Sequence, residues 1–169
     1  ILVVGQNPGS NHPRMLTTLE HAKRAGARII AINPLPEASL IRYKNPQTLR
    51  GLVGHGTEIA DIHLPIRLGG DQALFQLWNR RLVTDSANAE FIDHPFIAEH
   101  TTGFGALRDH LAHLDEAQLL AATGLTSAAV DDAFKVIAGA RRLIICWAMG
   151  ITQHLGAIDT IDEMTNLVL

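Results

Sequence analysis

The sequence predicts a three-layer α/β domain built on a parallel sheet, with a helical insertion before its last strand. Four short apolar runs rich in β-branched residues, at 1–5, 28–32, 61–66 and 143–147, read as buried strands. An amphipathic helical stretch separates the first two, so strand, helix and strand follow within the first 32 residues, which implies a right-handed parallel crossover. Small residues with amides, hydroxyls or a carboxylate follow the strands, which is where an open parallel sheet binds its ligands.

The elements follow in order. Residues 1–5 (ILVVG) are bounded by Gly5 and Pro8. Ser10 or Asn11 can cap a helix that tolerates Pro13 in its first turn, where proline loses no helical hydrogen bond. Met15, Leu16, Leu19 and Ala22 recur at helical spacing, Lys23 and Arg24 suit the last turn, and Gly26 can close it. RIIAI, 28–32, is the second strand. Residues 36–58, punctuated by Asn45–Pro46, Gly51, Gly54 and Gly56, predict an extended loop with short helical turns. DIHLPI, 61–66, is the third strand, and Gly69-Gly70-Asp71 opens a helix to about Val83. Residues 91–138 are helical: one helix holds Phe96 and Ile97, one follows Gly103, and one starts at Asp115 with Gln118 at capping-box spacing. That third helix ends at Gly124, and a fourth starts at Thr126 or Ser127. LIICW, 143–147, is the last strand, and 160–169 the last helix.

Composition sets the bounds. The chain has 169 residues, 47% hydrophobic and 18% charged, with net charge −3. A chain this long buries roughly 70% of its unfolded surface, so it folds without disulfides or a structural metal. It has no apolar run long enough for a membrane span, and its near-balanced charge does not favour a nucleic-acid partner. A single cysteine, Cys146, excludes internal disulfides and a cluster ligated by this segment alone; within an apolar strand it reads as an inert buried thiol. His110 and His113 lie one helical turn apart, but no third ligand and no HExxH accompany them, so no metal site is expected. The chain opens on ILVVG without Met or a signal peptide and closes on the apolar NLVL. Both ends read as cut from inside a structured region, and the chain is expected to be a piece of a larger cytoplasmic protein.

The segments to inspect for a ligand are Gly5-Gln-Asn-Pro-Gly-Ser-Asn-His-Pro13, Asn33-Pro34-Leu35, Leu68-Gly-Gly-Asp71 and Ala148-Met-Gly-Ile-Thr-Gln-His154. Glycines let a backbone approach closely, and helix-start N–H groups attract phosphate. His12 and His154 lie in these loops as well. Taken singly, each is also what an ordinary α/β turn looks like. The first loop is not GxGxxG, since Asn7 and Ser10 stand where the second and third glycines would be. The second strand ends in Asn33 rather than the acid that binds an NAD ribose, so an NAD-dependent dehydrogenase is disfavoured. No nucleophile–base pair or carboxylate pair assembles from local spacing, and no catalytic residue is assigned.

Five motifs in order carry a resemblance. Gly5-Gln-Asn-Pro-Gly-Ser-Asn-His-Pro13 resembles the GxNPxxxHP segment of molybdopterin-dependent oxidoreductases related to formate dehydrogenase. Ile32-Asn33-Pro34 is similar to that family's second-strand D-P, and Gly69-Gly70-Asp71-Gln-Ala-Leu74 to its GTDxAL. Phe96-Ile-Ala-Glu-His-Thr-Thr-Gly-Phe104 resembles FVxxxTxGF, and Trp147-Ala-Met-Gly-Ile-Thr-Gln153 resembles WGMGxTQ. Asn33 stands in place of the family's acid, Ala148 in place of a glycine, and residues 38–56 are longer than the usual pattern.

The resemblance implies a single Rossmann-like domain over 1–169 that binds the guanosine and pyrophosphate part of a molybdopterin guanine dinucleotide. It gives Gly5, Asn7, Ser10 and Asn11 to the first loop, Asn33, Gly70 and Asp71 to the guanosine end, and Met149, Gly150, Thr152 and Gln153 to the last loop. Molybdenum or tungsten is held by the cofactor, and any Fe4S4 cluster and the metal-ligating residue lie elsewhere in the parent chain. The remainder of that chain is the expected partner and formate the expected small-molecule substrate, with the 169 residues inactive alone. A stand-alone nucleotide-binding domain, similar to the central domain of thiamine-diphosphate enzymes, is the alternative.

Overall fold

The computed structural model describes residues 1–169, the side chain of Arg50 excepted. Strands β1 (Leu2–Val4), β2 (Ile30–Ile32), β3 (Ile62–Leu64) and β4 (Ile145–Trp147) form one sheet in the order β3-β2-β1-β4. All three pairings are parallel, with Val3 opposite both Ala31 and Cys146, and Ala31 opposite His63. Each strand is shorter than its apolar run. The Ile29 N–H, for example, donates to Asp61 Oδ2 at 2.8 Å. An apolar run therefore marks where a strand lies rather than where its ladder stops, and the run at 143–147 is not the buried strand expected: β4 pairs with β1 on one side only, leaving Ile144 58% and Trp147 40% exposed.

The chain packs as two compact units, 1–65 with 144–150, and 66–143 with 151–169. The first unit holds the sheet with α1 (Pro8–Asn11), α2 (Pro13–Arg24), α3 (Ala38–Ile41) and α4 (Leu49–Val53). The expected capping by Ser10 or Asn11 is replaced by a separate helical turn. Asn7 Oδ1 accepts the Ser10 N–H at 3.2 Å to start α1, and α2 begins at Pro13 without a side-chain cap. Gly26, at φ +93, follows α2 in the left-handed conformation that glycine tolerates best. Leu16 and Leu19 of α2 pack with Val3, Ile29, Ala31, Leu40 and Ile59, each buried and each contributing about 1.5–3 kcal/mol where a large side chain leaves water.

The loop at 36–58 is held at its stem. Tyr43 and Thr57 form an antiparallel bridge, and Glu20 of α2, only 2% exposed, accepts from Asn45 Nδ2 (3.1 Å) and Thr57 Oγ1 (2.8 Å). Arg24 closes the set at 2.8 Å. A buried carboxylate is tolerated because donors surround it.

The second unit is helical: α5 (Asp71–Thr84), a 3-10 turn at Ser86–Phe91, α6 (His94–His100), α7 (Phe104–Ala112), α8 (Glu116–Thr123) and α9 (Ser127–Ala138). A short α10 (Met149–Thr152) crosses the division, and α11 (Ala157–Val168) starts before the predicted 160. Asp115 caps α8 through the Ala117 and Gln118 N–H groups, Gly124 ends it at φ +70, and Thr126 caps α9, as the spacing predicts. The α5 helix buries Ala73, Leu74, Phe75, Leu77, Trp78 and Asn79 and packs against α7, α8 and α11. A helix apolar on so many sides belongs at the centre of its unit. Arg81 fastens it outward, reaching Glu116 at 2.8 Å and Asp131 at 2.7 Å. No helix among the described residues is long and apolar enough to cross a membrane.

Candidate functional site

Parallel pairing puts the ends of all four strands on one edge of the first unit, so the residues after β1, β2 and β4 share that edge. The first loop leaves β1 through Gly5, at φ +55, whose N–H donates to the Ile32 carbonyl at 2.9 Å. A Cβ at Gly150 would overlap the Gly5 carbonyl oxygen, so the first and last loops touch backbone to backbone. Asn33, 5% exposed, donates from Nδ2 to the Gln6 carbonyl at 3.0 Å, and His63 Nε2 lies 3.0 Å from the Asn33 carbonyl. The structure thus brings Gly5, Asn7, Asn33 and Gly150 together, with Met149 beside them and 62% exposed.

The first loop is clasped by the segment after β2. Asn7 Nδ2 donates to Glu37 Oε2, and the Gly9 N–H donates to Ser39 Oγ at 3.2 Å. With the Ser10 N–H on Asn7 Oδ1 and the Asn11 N–H on the Asn7 carbonyl, the donors at the start of α1 are internally bonded. The sequence-based expectation that these helix-start N–H groups meet a phosphate is therefore revised. Pro8 has no N–H, and its neighbours use theirs to hold the turn. What the loop presents outward is the Ser10 hydroxyl and the Asn11 amide, both exposed and without a side-chain hydrogen bond among the described residues.

Sequence reasoning missed Gln6, Glu37, Ser39 and His63. Gln6 is 7% exposed, with Nε2 on His12 Nδ1 (3.2 Å) and Met15 Sδ (3.4 Å) and Oε1 without a partner among the described residues. Glu37 and Ser39 lie in the segment after β2, Ser39 within α3, so a search of that whole segment would have reached them; His63 sits in the middle of β3, where no local signal marks it.

In the second unit, Gly70 and Asp71 start α5. A Cβ at Gly70 would crowd the Ala122 carbonyl at 2.9 Å and Thr123 Cα at 3.0 Å, so glycine lets the start of α5 lie against the end of α8. Asp71 is 7% exposed. Burial pushes its carboxyl above the usual range, partly offset by its own backbone N–H and by His154. No side chain among the described residues donates to it. Thr152 and Gln153 are exposed, with no side-chain hydrogen bond among the described residues. Burial also raises the half-buried Cys146 thiol, away from the thiolate form. No cluster of three metal-ligating side chains occurs among the described residues.

The fold and its strand-end edge define a parallel α/β domain, and the same architecture occurs inside a much larger protein. Acetylene hydratase from Pelobacter acetylenicus matches 98% of this chain at TM-score 0.78 and 22% identity, over 20% of its own length; what is shared at that identity is the fold. No family model matches the chain. An oxidoreductase of Mycobacterium tuberculosis is 46% identical over 171 residues, which take in all of this chain and 22% of that protein. Formate dehydrogenase H of Escherichia coli is 26% identical over 169 residues, again all of this chain and 21% of that protein. The chain is therefore homologous to a segment of oxidoreductases that include formate dehydrogenase, which bears out the resemblance drawn from its motifs. It spans about a fifth of the length of the curated relatives it matches.

Proposed function

We propose that this segment holds the guanosine and pyrophosphate part of a molybdopterin guanine dinucleotide within a molybdenum or tungsten oxidoreductase. The observation that carries this is Asp71. Asp71 is a buried residue, and no side chain among the described residues donates to its carboxylate, so its oxygens are acceptors open to donors from a ligand. A guanine edge with adjacent N–H groups supplies two donors in the spacing a carboxylate accepts. Gly70 is assigned by motif position alone, since its lack of a Cβ serves to let the start of α5 lie against the end of α8.

In the first unit, Gly5 and Gly150 keep two loops in backbone contact, and Ser10, Asn11 and Met149 present side chains outward. Asn7 and Asn33 are assigned to that edge as positioning residues, since their side-chain amides hold the first loop. Thr152 and Gln153 are assigned by motif position alone. When bound, the cofactor supplies two-electron chemistry at its metal; this chain's residues grip and orient it. The parent protein, on this reading, oxidises formate to carbon dioxide, and its metal-ligating residue and any Fe4S4 cluster lie outside these residues.

The test is chemical. Mild acid treatment of the full polypeptide should release guanosine monophosphate in proportion to pterin and metal. Pterin without any guanine nucleotide, or stoichiometric NAD instead, overturns the assignment.

A further inference from the structure

The two outer strands of the sheet differ in chemistry. β3 is flanked by Asp61 and Pro65, and its Leu64 is fully buried. A charge and a proline are devices that guard an edge against further pairing. β4 has neither: Leu143–Ala148 reads LIICWA, without a charge or a proline. Ile144 and Trp147 are exposed, although β1 beside them is buried throughout. The run has the composition of a strand covered on both faces and the surroundings of an edge.

Backbone direction adds an independent observation. The Leu2 N–H donates to the Ile144 carbonyl at 2.8 Å, and Leu2 lies opposite Ile145. In a parallel pair the residue directly opposite turns its own N–H and C=O to the far side, and the direction alternates along the strand. Ile145 and Trp147 therefore turn their N–H groups away from β1, where the sheet has no further strand. Neither N–H has an acceptor among the described residues. Two such donors, about 6.6 Å apart along the strand, match the carbonyls of an extended chain. A helix uses its carbonyls internally and offers none at that spacing. Ile144 and Trp147, three residues apart, lie on opposite faces, so a helix laid on one face would cover only one of them. β4 lies between α9 and α10, away from either terminus. Relatives carry this segment as about a fifth of their length, so most of such a polypeptide lies outside the residues described.

We infer that a further strand, an apolar run supplied by another part of the same, longer polypeptide, pairs with the free edge of β4 and makes it an interior strand of the sheet. Backbone carbonyls of that strand accept from the Ile145 and Trp147 N–H groups, and its side chains shield Ile144 on one face and Trp147 on the other. The inference does not depend on the identity of the cofactor.

Two measurements on the full polypeptide test it. In the unaltered polypeptide, residue-resolved hydrogen exchange should find the Ile145 and Trp147 amides at least about 100-fold slower than in an unstructured peptide. Faster exchange at either amide overturns the proposal. A photo-crosslinking phenylalanine analogue in place of Ile144 should join a segment of the same polypeptide outside residues 1–169 that contains at least about four consecutive apolar residues, enough for a short strand. A cross-link within residues 1–169, to a second copy, to a separate polypeptide or to a segment without such a run overturns it as well, and so does the absence of any cross-link.

Discussion

Asp71→Asn separates ligand binding from folding, because the structure assigns the two effects different sizes. The substitution keeps side-chain shape but removes a charge from a site 7% exposed at the first residue of a 14-residue helix. Losing the anion at a helix N-terminus costs about 0.3–1 kcal/mol. Burial, however, raises the folded carboxyl above its usual range, so the folded state binds the proton more tightly than the unfolded state. The destabilisation this causes grows as pH rises from about 4 and is complete once pH exceeds the raised folded value. Asn removes it, and the two contributions offset. We expect cofactor-free stability to change by no more than about 1 kcal/mol, or roughly 2–4 °C in Tm, with the variant gaining relative to wild type as pH rises. Binding is affected more. A carboxylate that accepts two ligand N–H groups contributes about 1.5–3 kcal/mol per bond, and Asn turns an NH2 toward one of those donors. A loss of about 2–4 kcal/mol corresponds to roughly 30- to 700-fold in affinity. The assay pairs metal, pterin and guanine nucleotide content of the purified full-length variant with its melting curve. Full occupancy in a normally folded variant refutes the assignment of Asp71 to the cofactor.

Three further outcomes follow from the geometry. Gly9→Ala places a methyl on Ser39 Cβ and should destabilise the first unit by about 1–3 kcal/mol; Ser39→Gly should restore most of the loss in a double-mutant cycle, and additivity of the two changes would show that the contact is relieved elsewhere. Gly150→Ala drives a methyl into the Gly5 carbonyl, so cofactor content should fall, with faster hydrogen exchange at 5–9 and 148–151; unchanged exchange there would count against backbone contact between these loops. For Glu20, burial raises the carboxyl, but bonds from Thr57 and Asn45 and the Arg24 charge outweigh it and leave it below the usual range; for Asp61, burial is likewise outweighed by Lys23, the Ile29 N–H and Arg28. Both therefore add stability that is complete above about pH 4–5 and lost as pH falls through their lowered values. Glu20→Gln should flatten the acid limb of the stability curve and open the 43–57 segment to proteolysis, and an unaltered acid limb would contradict the role given to Glu20.

Much of the fold was legible in the sequence because its determinants are local. β-Branched runs mark strands, though not the burial of β4, Asp115 and Thr126 mark helix starts, and the left-handed Gly26 and Gly124 mark helix ends, since each acts within one turn of chain. The parallel crossover followed from strand–helix–strand spacing alone. The ordered motifs gave the relationship to formate dehydrogenase-like oxidoreductases, because motif order survives where individual residues such as Asn33 and Ala148 have changed.

Tertiary structure decided what the polar groups do. No local pattern says that the start of α1 satisfies its own N–H groups through Asn7 and Ser39, that Asn33 holds the Gln6 carbonyl, or that Glu20 gathers Asn45 and Thr57. Those bonds join residues about 25–37 positions apart in all but the local Asn7 cap, and a hydrogen bond depends on a few tenths of an ångström that spacing along a chain does not encode. The same holds for Asp71: the sequence places a carboxylate at a helix start, and only packing buries the residue and leaves its carboxylate without a side-chain donor among the described residues.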